Sequence, residues 1–335
     1  MIKALLGEAA ENRSVVCRLC AHECRIAEGK TGICRVRKNV GGELFSLNSD
    51  RVIAAHVDPI EKKPLFHFLP GSRSFSVAAM GCNFSCRFCQ NHAISMVEDE
   101  TSIQGDVIAP DQLVVLAEKH NARSIAYTYT EPTVFFELVL ETARLARAAG
   151  IRNVLVSNGY LTARALARLG PFLDGANIDL KAFSDVFYRK YCSARLQPVL
   201  ETIAGMKAMG IWLEVTTLLI PGLNDDPRQI AELIGFLRDL DRDIPWHVSR
   251  FFPQYRMGDI PPTDEESIHR YLRLAEDGGL NFPYGGNLPD SRWSHTLCPQ
   301  CRGMLIERSG YHARIVGLQE GACRSCGAAV AGVWS

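Results

Sequence analysis

Short apolar runs alternate with amphipathic stretches between residues 75 and 290, and this alternation is the strongest structural signal in the chain. Brief apolar runs bounded by glycine, proline or polar residues are typical of buried strands, whereas apolar positions three and four residues apart are typical of helices. The pattern predicts six strands, which lie in the segments 74–81, 124–132, 153–159, 175–183, 212–222 and 246–253. Helices fit the intervals between them, and residues 280–287 offer one more short strand.

Six strand–helix units in succession predict parallel strands joined by right-handed crossovers. A complete eight-stranded barrel would need more chain than this. We therefore predict an α/β fold, a partial (β/α)6 TIM-like barrel over residues 74–290. An N-terminal four-cysteine module at 1–73 and a C-terminal zinc-ribbon-like module at 291–335 are expected to flank it.

Polar residues gather where the predicted strands end, which is where ligands bind in such folds. They are Cys82 to Cys89, Thr130, Glu131, Ser157, Asn158, Asp179, Lys181, Asn224, Asp225, His247 and Arg250. Because buried polar groups are costly unless they bind something, this rim predicts a ligand site.

Composition and charge narrow the class of protein. Apolar residues make up 47% and charged residues 22% of the 335 positions, which is ordinary for a soluble globular protein. The net charge is zero, so nucleic acid is not an expected partner. The start of the chain lacks the features of a secretory signal, and no run reaches the roughly 18 apolar residues of a membrane span. We expect a soluble, cytoplasmic protein without a membrane partner.

Eleven of the twelve cysteines fall in three clusters, and this spacing changes the picture most. The clusters are Cys17, Cys20, Cys24 and Cys34, then Cys82, Cys86 and Cys89, then Cys298, Cys301, Cys323 and Cys326. Closely spaced C-x2-C pairs suit a metal ion or cluster better than disulfide bonds. We predict three metal sites, and we expect the isolated Cys192 to pack as an ordinary thiol.

The two terminal clusters suggest different centres. The C-terminal pairs, 21 residues apart, fit a zinc ribbon with a small hairpin between them, and rubredoxin-like iron is the alternative. The four N-terminal cysteines fit either zinc, the preferred interpretation, or an auxiliary [4Fe–4S] cluster, because their spacing differs from the ferredoxin run. His22 could replace one of these cysteines, although a surface histidine is the simpler interpretation.

The middle cluster offers three cysteines and no fourth. Zinc could use His92 to complete its coordination. An iron–sulfur cluster could instead bind the three thiolates and keep one iron open. The position at the mouth of a partial barrel, among the polar rim residues, favours the cluster, because an open iron can coordinate a substrate or cofactor.

The C-x3-C-x2-C loop after the first strand of a six-unit βα barrel resembles that of radical S-adenosylmethionine (SAM) enzymes. The chain is most similar to the radical SAM members of the AmmeMemoRadiSam system, often labelled pyruvate formate-lyase activating-enzyme homologues. The segments that carry the resemblance are CRLCAHECRIAEGKTGICRVR, FHFLPGSRSFSVAAMGCNFSCRFCQNHAIS, YTYTEP, NIDLKAF and WHVSRFFP. The resemblance implies a [4Fe–4S] cluster whose open iron binds SAM, and a one-electron donor such as flavodoxin or ferredoxin. It also implies Memo-like and AMMECR-like protein partners.

The same resemblance assigns roles around SAM. Phe88, just before the last cysteine, would meet the adenine, and Glu131 would hold the ammonium group. Lys181, together with Asp179, would meet the carboxylate, and His247 would lie near the ribose. Each residue also has a plainer interpretation. Phe88 could be a core aromatic and Glu131 a turn residue. Asp179 and Lys181 could form an ion pair at the rim, and His247 could be a core histidine.

One segment departs from the glycyl-radical activating enzymes, which carry Asp-Thr-Asn-Gly after the third strand. Here Val156 replaces the aspartate, and Ser157 and Asn158 follow as expected cofactor contacts. The departure weakens the interpretation as an activase of a glycyl-radical protein, which stays the alternative to hydrogen abstraction from an unidentified substrate. A non-catalytic iron–sulfur or zinc-ribbon binding protein is a further alternative. Arg250 could face a substrate anion or pair with an acidic neighbour.

Overall fold

An eight-stranded sheet forms the centre of the molecule in the computed structural model, which describes residues 1–288 and 292–335. Its strands are β1 Ala54–Pro59, β2 Arg73–Ala78, β3 Ser124–Tyr127, β4 Arg152–Ser157, β5 Gly175–Asp179, β6 Trp212–Leu219, β7 Trp246–Arg250 and β8 Pro283–Gly286. They lie side by side in chain order. Strands β2 to β8 run parallel, and β1 pairs antiparallel with β2 at one edge.

Helices connect the parallel strands. They are α1 Pro110–Lys119, α2 Phe136–Ala148, α3 Ala163–Leu169, α4 Gln197–Ala208, α5 Pro227–Asp241 and α6 Glu265–Asp277. In α5 the buried residues Ile230, Leu233, Ile234 and Leu237 recur at helical spacing, so one face of the helix packs against the core. The six predicted βα units are confirmed, and residues 280–287 supply the seventh parallel strand.

Strand β1 was not predicted. It comes from within the expected N-terminal module, so part of residues 1–73 belongs to the central sheet. The division of the chain into modules at residue 73 stays a prediction. The other predicted boundary, between residues 290 and 291, lies outside the described residues.

Small elements flank the sheet. The N-terminal ones are Ile2–Lys3, Gly7–Ala9, Val15–Cys17, Arg25–Ile26, Arg37–Val40, Glu43–Ser46 and Arg51–Val52, the last paired with Asp106–Val107. The C-terminal ones are Thr296–Leu297, Met304–Ser309, His312–Ile315, Leu318–Gln319 and Ala322–Cys323. Short helical turns are Glu11–Arg13, Ile60–Lys62, His92–Ser95, Glu100–Ser102, Pro132–Phe135, Gly170–Phe172, Asp185–Phe187, Tyr188–Cys192 and Arg292–Ser294.

The C-terminal segment is fastened to the segment between β1 and β2. His67 donates from Nδ1 to the carbonyl oxygen of Ala331 at 2.7 Å, and Phe68 forms an isolated bridge with Val333. Within residues 1–288 and 292–335, no helix combines the length and the apolar character needed to cross a bilayer.

Candidate active site

A cavity of about 850 Å³ opens at the carboxyl ends of the parallel strands. All residues expected to hold the cluster or SAM line it. They are Cys82, Cys86, Cys89, Phe88, Glu131, Ser157, Asn158, Asp179, Lys181 and His247. The structure thus brings together residues that are up to 165 positions apart in the chain, as the strand-end rule predicts.

The three-cysteine loop follows β2 and is held by local hydrogen bonds. The Cys82 sulfur accepts from the Phe84 amide at 3.3 Å and from Asn158 Nδ2 at 3.8 Å. A hydrogen bond with the buried Cys192 lowers the pKa of Cys86. Cys192 therefore packs against a predicted cluster ligand, a contact that its isolated position in the sequence did not signal.

His92, the alternative zinc ligand, is engaged elsewhere. Its ring stacks on Tyr255 with a centroid distance of 4.4 Å, and its Nδ1 lies 3.3 Å from the Cys89 carbonyl oxygen. In the part of the chain that the structure describes, His92 and the three cysteines do not converge as ligands of a single ion. His92 thus contacts Tyr255 and the backbone of Cys89.

Glu131 ties two strand ends together. Its side chain is buried and accepts from the Thr133 amide at 3.0 Å, the Ser157 hydroxyl at 2.8 Å and the Asn158 amide at 2.8 Å. Burial raises the pKa of Glu131, and these hydrogen bonds oppose that rise. The carboxyl group fixes the loop after β4 and lines the cavity as well, so the turn interpretation and the cofactor interpretation are compatible.

Asp179 and Lys181 form an ion pair at 3.1 Å on the cavity wall. Burial opposes the charge on Lys181, but the neighbouring Asp179 and cysteine thiols outweigh it and hold its pKa well above the ordinary value. The ammonium group also lies 5.8 Å from the centre of the Phe88 ring. A permanent cation thus faces the cavity between the cysteine loop and β5.

His247 is oriented by a carboxylate that the sequence analysis did not single out. Its Nε2 lies 2.7 Å from Oε2 of Glu214, a residue of β6 with a fully buried side chain. Glu214 also accepts from the amides of Phe66 and His67 at 2.9 and 2.8 Å. The same carboxylate therefore positions His247 and anchors the segment that precedes β2.

Arg250 pairs with an acidic neighbour, which decides between its two interpretations. Its Nη1 lies 2.9 Å from Glu265, and its Nε donates to the Thr263 carbonyl oxygen at 2.9 Å.

A polar group at the cavity edge was missed by the sequence analysis. The buried Asp58 of β1 accepts from Lys63 at 2.6 Å and from Lys62 at 2.9 Å, and it is also bonded to the Tyr129 hydroxyl. Burial lowers the pKa of Lys63 to about 8, although Asp58 opposes this shift. Lys62, Lys63 and Tyr129 line the cavity. No motif signals Lys62 and Lys63, because an edge strand outside the predicted barrel brings them there, whereas Tyr129 follows β3 in the YTYTEP segment but was not singled out.

The C-terminal hairpin forms another part of the cavity wall. Its strands Met304–Ser309 and His312–Ile315 pair as predicted, and Gly310 and Tyr311 at the turn line the cavity. The buried Arg308 anchors the hairpin by donating to the Phe66 carbonyl oxygen at 2.6 Å. The hairpin turn therefore contributes to the wall of the site.

The four C-terminal cysteines are arranged for one metal ion. Sγ of Cys298 lies 3.6 Å from Sγ of Cys326, and Sγ of Cys301 lies 3.7 Å from Sγ of Cys323. All four sulfurs lie within 4.8 Å of one another. Tetrahedral zinc with Zn–S bonds of about 2.3 Å needs thiolates roughly 3.8 Å apart, so zinc fits. Hydrogen bonds, first from the Cys326 backbone, lower the pKa of Cys323 to about 6.

We expect one zinc ion at this quartet, and we expect its removal to destabilise the hairpin. A Cys326→Ser variant should lose the ion and melt at least ~5 °C lower, the shift that a loss of about 2–3 kcal/mol produces in a large domain. Elemental analysis and thermal melting measure both effects. Stoichiometric iron at this site would favour the rubredoxin-like alternative, and an unchanged melting temperature would exclude a structural ion.

The N-terminal cysteines lie near one another without this convergence. Burial raises the pKa of Cys17, Cys20 and Cys34, and neighbouring thiols raise it further in each. Within residues 1–288 and 292–335, the C-terminal quartet alone forms a group with donor atoms inside 4.8 Å. His22 instead places Nε2 2.8 Å from the Asn83 carbonyl oxygen.

Comparison with known proteins identifies the class. Residues 77–234 match the radical SAM superfamily. An uncharacterized protein of Methanocaldococcus jannaschii is 41% identical over 330 residues, which cover 98% of each chain. The pyruvate formate-lyase-activating enzyme of Listeria monocytogenes is 24% identical over 65% of this chain and 84% of its own.

The fold agrees with this assignment. The crystal structure of a radical SAM methyltransferase from Sphaerobacter thermophilus superposes with a TM-score of 0.51 and 17% identity, covering 65% of this chain and 67% of the other. The chain belongs to the radical SAM superfamily. It is a radical SAM enzyme, and its cofactors are a [4Fe–4S] cluster and SAM.

Proposed function

We propose that Cys82, Cys86 and Cys89 ligate the cluster and that SAM fills the adjoining part of the cavity. The observation that carries this proposal is that the three thiols and the expected SAM contacts line one cavity. Its volume lies within the range of about 300–1,000 Å³ that is usual for small-molecule sites. When bound, the cluster and SAM supply a 5′-deoxyadenosyl radical, which abstracts hydrogen from a substrate.

The residues of the chain bind SAM, orient it and exclude water from the cavity. In this proposal the Lys181 ammonium pairs with the SAM carboxylate, and the buried Glu131 carboxyl group accepts from the SAM ammonium; both residues line the cavity. Glu214 fixes the ring of His247 beside the expected ribose. The part of the cavity left for a substrate is lined by Lys63, Tyr129 and Tyr311, so we assign the substrate to that side.

We also propose that the chain is the radical SAM member of the AmmeMemoRadiSam system, with Memo-like and AMMECR-like partners. The segments quoted above support this, among them the N-terminal run of four cysteines. Purified Memo-like and AMMECR-like proteins should then form a complex with this chain that survives size-exclusion chromatography. Independent elution of all three proteins would argue against stable partnership.

A second candidate is activation of a glycyl-radical protein, which the similarity to pyruvate formate-lyase-activating enzymes favours. Two features weigh against it. Val156 replaces the carboxylate of those enzymes, and the hairpin turn at Tyr311 takes up part of the cavity wall. A glycyl radical, detected by electron paramagnetic resonance (EPR) on a candidate partner after incubation with this enzyme, would favour the activase.

The first experiment is anaerobic. Iron and sulfide are reconstituted, the protein is reduced with dithionite, SAM is added, and 5′-deoxyadenosine is quantified by chromatography. We expect product above the level of SAM with dithionite alone. A protein that binds no cluster at the three cysteines would overturn the proposal.

The contact between Lys181 and SAM has its own test. Replacing a charged donor removes about 1.5–3 kcal/mol, so Lys181→Met should weaken SAM binding roughly 10- to 100-fold. Anaerobic calorimetry on the reconstituted protein measures the affinity, and the exposed Lys190→Met is the matched control. Unchanged SAM affinity in Lys181→Met would show that Lys181 does not bind SAM and that its role is the ion pair with Asp179.

A further inference from the structure

The N-terminal cysteines Cys17, Cys20, Cys24 and Cys34 take no part in the site above, and their geometry is informative. A single zinc ion draws its thiolates together, as the C-terminal quartet illustrates at 3.6 and 3.7 Å. In the described parts of the chain, neither the N-terminal quartet nor the three-cysteine loop forms such a group. A [4Fe–4S] cluster places each thiolate on a different iron, so its ligands are spread more widely. The N-terminal quartet therefore resembles the cluster loop and differs from the zinc-type site.

The surroundings of the quartet suit an anionic centre. Arg37 is 1% exposed and binds Glu137 through Nη1 and Nη2 at 2.8 and 2.7 Å. Its Nε is buried and has no hydrogen-bond partner among the described residues. The charge of the Arg37 guanidinium acts on both Cys17 and Cys34. Glu137 already balances the charge of Arg37, but the buried Nε remains a spare donor near the thiols, and a metal–thiolate centre would supply an acceptor for it.

The quartet also adjoins the active-site cysteine loop. His22 lies two residues from both Cys20 and Cys24, and its Nε2 contacts the carbonyl oxygen of Asn83, the neighbour of Cys82. On a second route, Val36 lies two residues after Cys34 and packs closely against Gly81. A Cβ added to Gly81 would lie only 2.9 Å from Cγ1 of Val36. Two short connections therefore join the quartet to Cys82.

We propose that Cys17, Cys20, Cys24 and Cys34 bind a second [4Fe–4S] cluster, which relays electrons to the cluster at Cys82, Cys86 and Cys89. A low-potential protein donor of the flavodoxin or ferredoxin class loses one electron to the N-terminal cluster. That cluster then returns to its oxidised state by reducing the second cluster, and no proton or bond is exchanged. The relay rests on the proposed function, whereas the presence of the cluster does not.

Metal content tests the cluster directly. A chain with Cys82, Cys86 and Cys89 all changed to Ala should still take up about four irons and four sulfides on reconstitution. After dithionite reduction it should give a cluster EPR signal that SAM does not alter. Adding Cys20→Ala and Cys24→Ala should abolish both iron and signal.

The unmodified protein, isolated anaerobically, supplies a measurement that does not depend on whether the variants fold. We expect one zinc ion per chain, held by the C-terminal quartet. Two zinc ions per chain, or no iron in the triple variant, would overturn the second cluster.

The relay is tested by comparing reductants on one protein. In the Cys20→Ala, Cys24→Ala variant, the ratio of flavodoxin-driven to dithionite-driven 5′-deoxyadenosine formation should fall at least tenfold relative to the native protein. An unchanged ratio would overturn the relay and leave the cluster standing. Failure of the proposed function is distinguishable, because it would abolish the dithionite-driven reaction in the native protein itself.

Discussion

A chain with Cys82, Cys86 and Cys89 all changed to alanine produces no 5′-deoxyadenosine above background. The three thiols line the cavity beside the expected SAM contacts, and no other cysteine among the described cavity residues can replace them. Loss of all three should remove the cluster that would bind SAM and pass the electron to it. The rate should fall to that of SAM with reductant alone.

The matched control is Cys192→Ala. Cys192 is buried and hydrogen-bonded to Cys86, yet it is not expected to ligate iron. Its loss should leave the iron content of the reconstituted protein unchanged, whereas the triple variant loses about four irons. Appreciable product from the triple variant would show that the chemistry takes place elsewhere, and loss of iron in Cys192→Ala would make it a ligand.

Glu214→Leu is expected to destabilise the protein by about 3–5 kcal/mol. The fully buried carboxylate accepts from His247, from two backbone amides and from Trp212 Nε1 at 3.0 Å. Leucine would leave these donors without their acceptor. Urea unfolding of the metal-loaded protein measures the change, and the exposed Glu118→Leu should shift stability by less than ~0.5 kcal/mol.

The same carboxylate makes stability depend on pH. Burial alone would raise the pKa of Glu214, but the hydrogen bond and charge of His247 outweigh it and lower the pKa. A lowered folded-state pKa contributes stability that is fully present above the unfolded value of about 4.3 and is lost as pH falls through the folded value. The native protein should therefore lose more stability than Glu214→Leu below pH ~4. If the free energy of unfolding changed with pH in the same way for both proteins, this prediction would be wrong.

The parallel strands were predictable because each one is a short apolar run that ends in polar residues. Strand β3, for example, is buried along its whole length. Strand β1 was not, because it lies at the sheet edge and exposes His56 and Val57, so its pattern reads as a loop.

Some residues of the candidate site were likewise predictable from the sequence, and others were not. Lys181 and His247 were predicted because the strand order carries them to one rim. Lys63 and Tyr311 were not, because they reach the cavity through the packing of β1 and of the hairpin held by Arg308. Arg250 lies at the rim as expected, but the acidic neighbour that binds it is 15 residues away, and no pattern signals that pairing.

The hydrogen bond between His67 and Ala331 joins residues 264 positions apart. During synthesis, the segment that leads into β2 emerges early, while its partner emerges only after every strand of the sheet has been made. A nascent chain can therefore assemble the sheet and the cysteine loop before the hairpin exists to complete the cavity. The part of the cavity wall at Gly310 and Tyr311 is thus the last part of the wall to be synthesised.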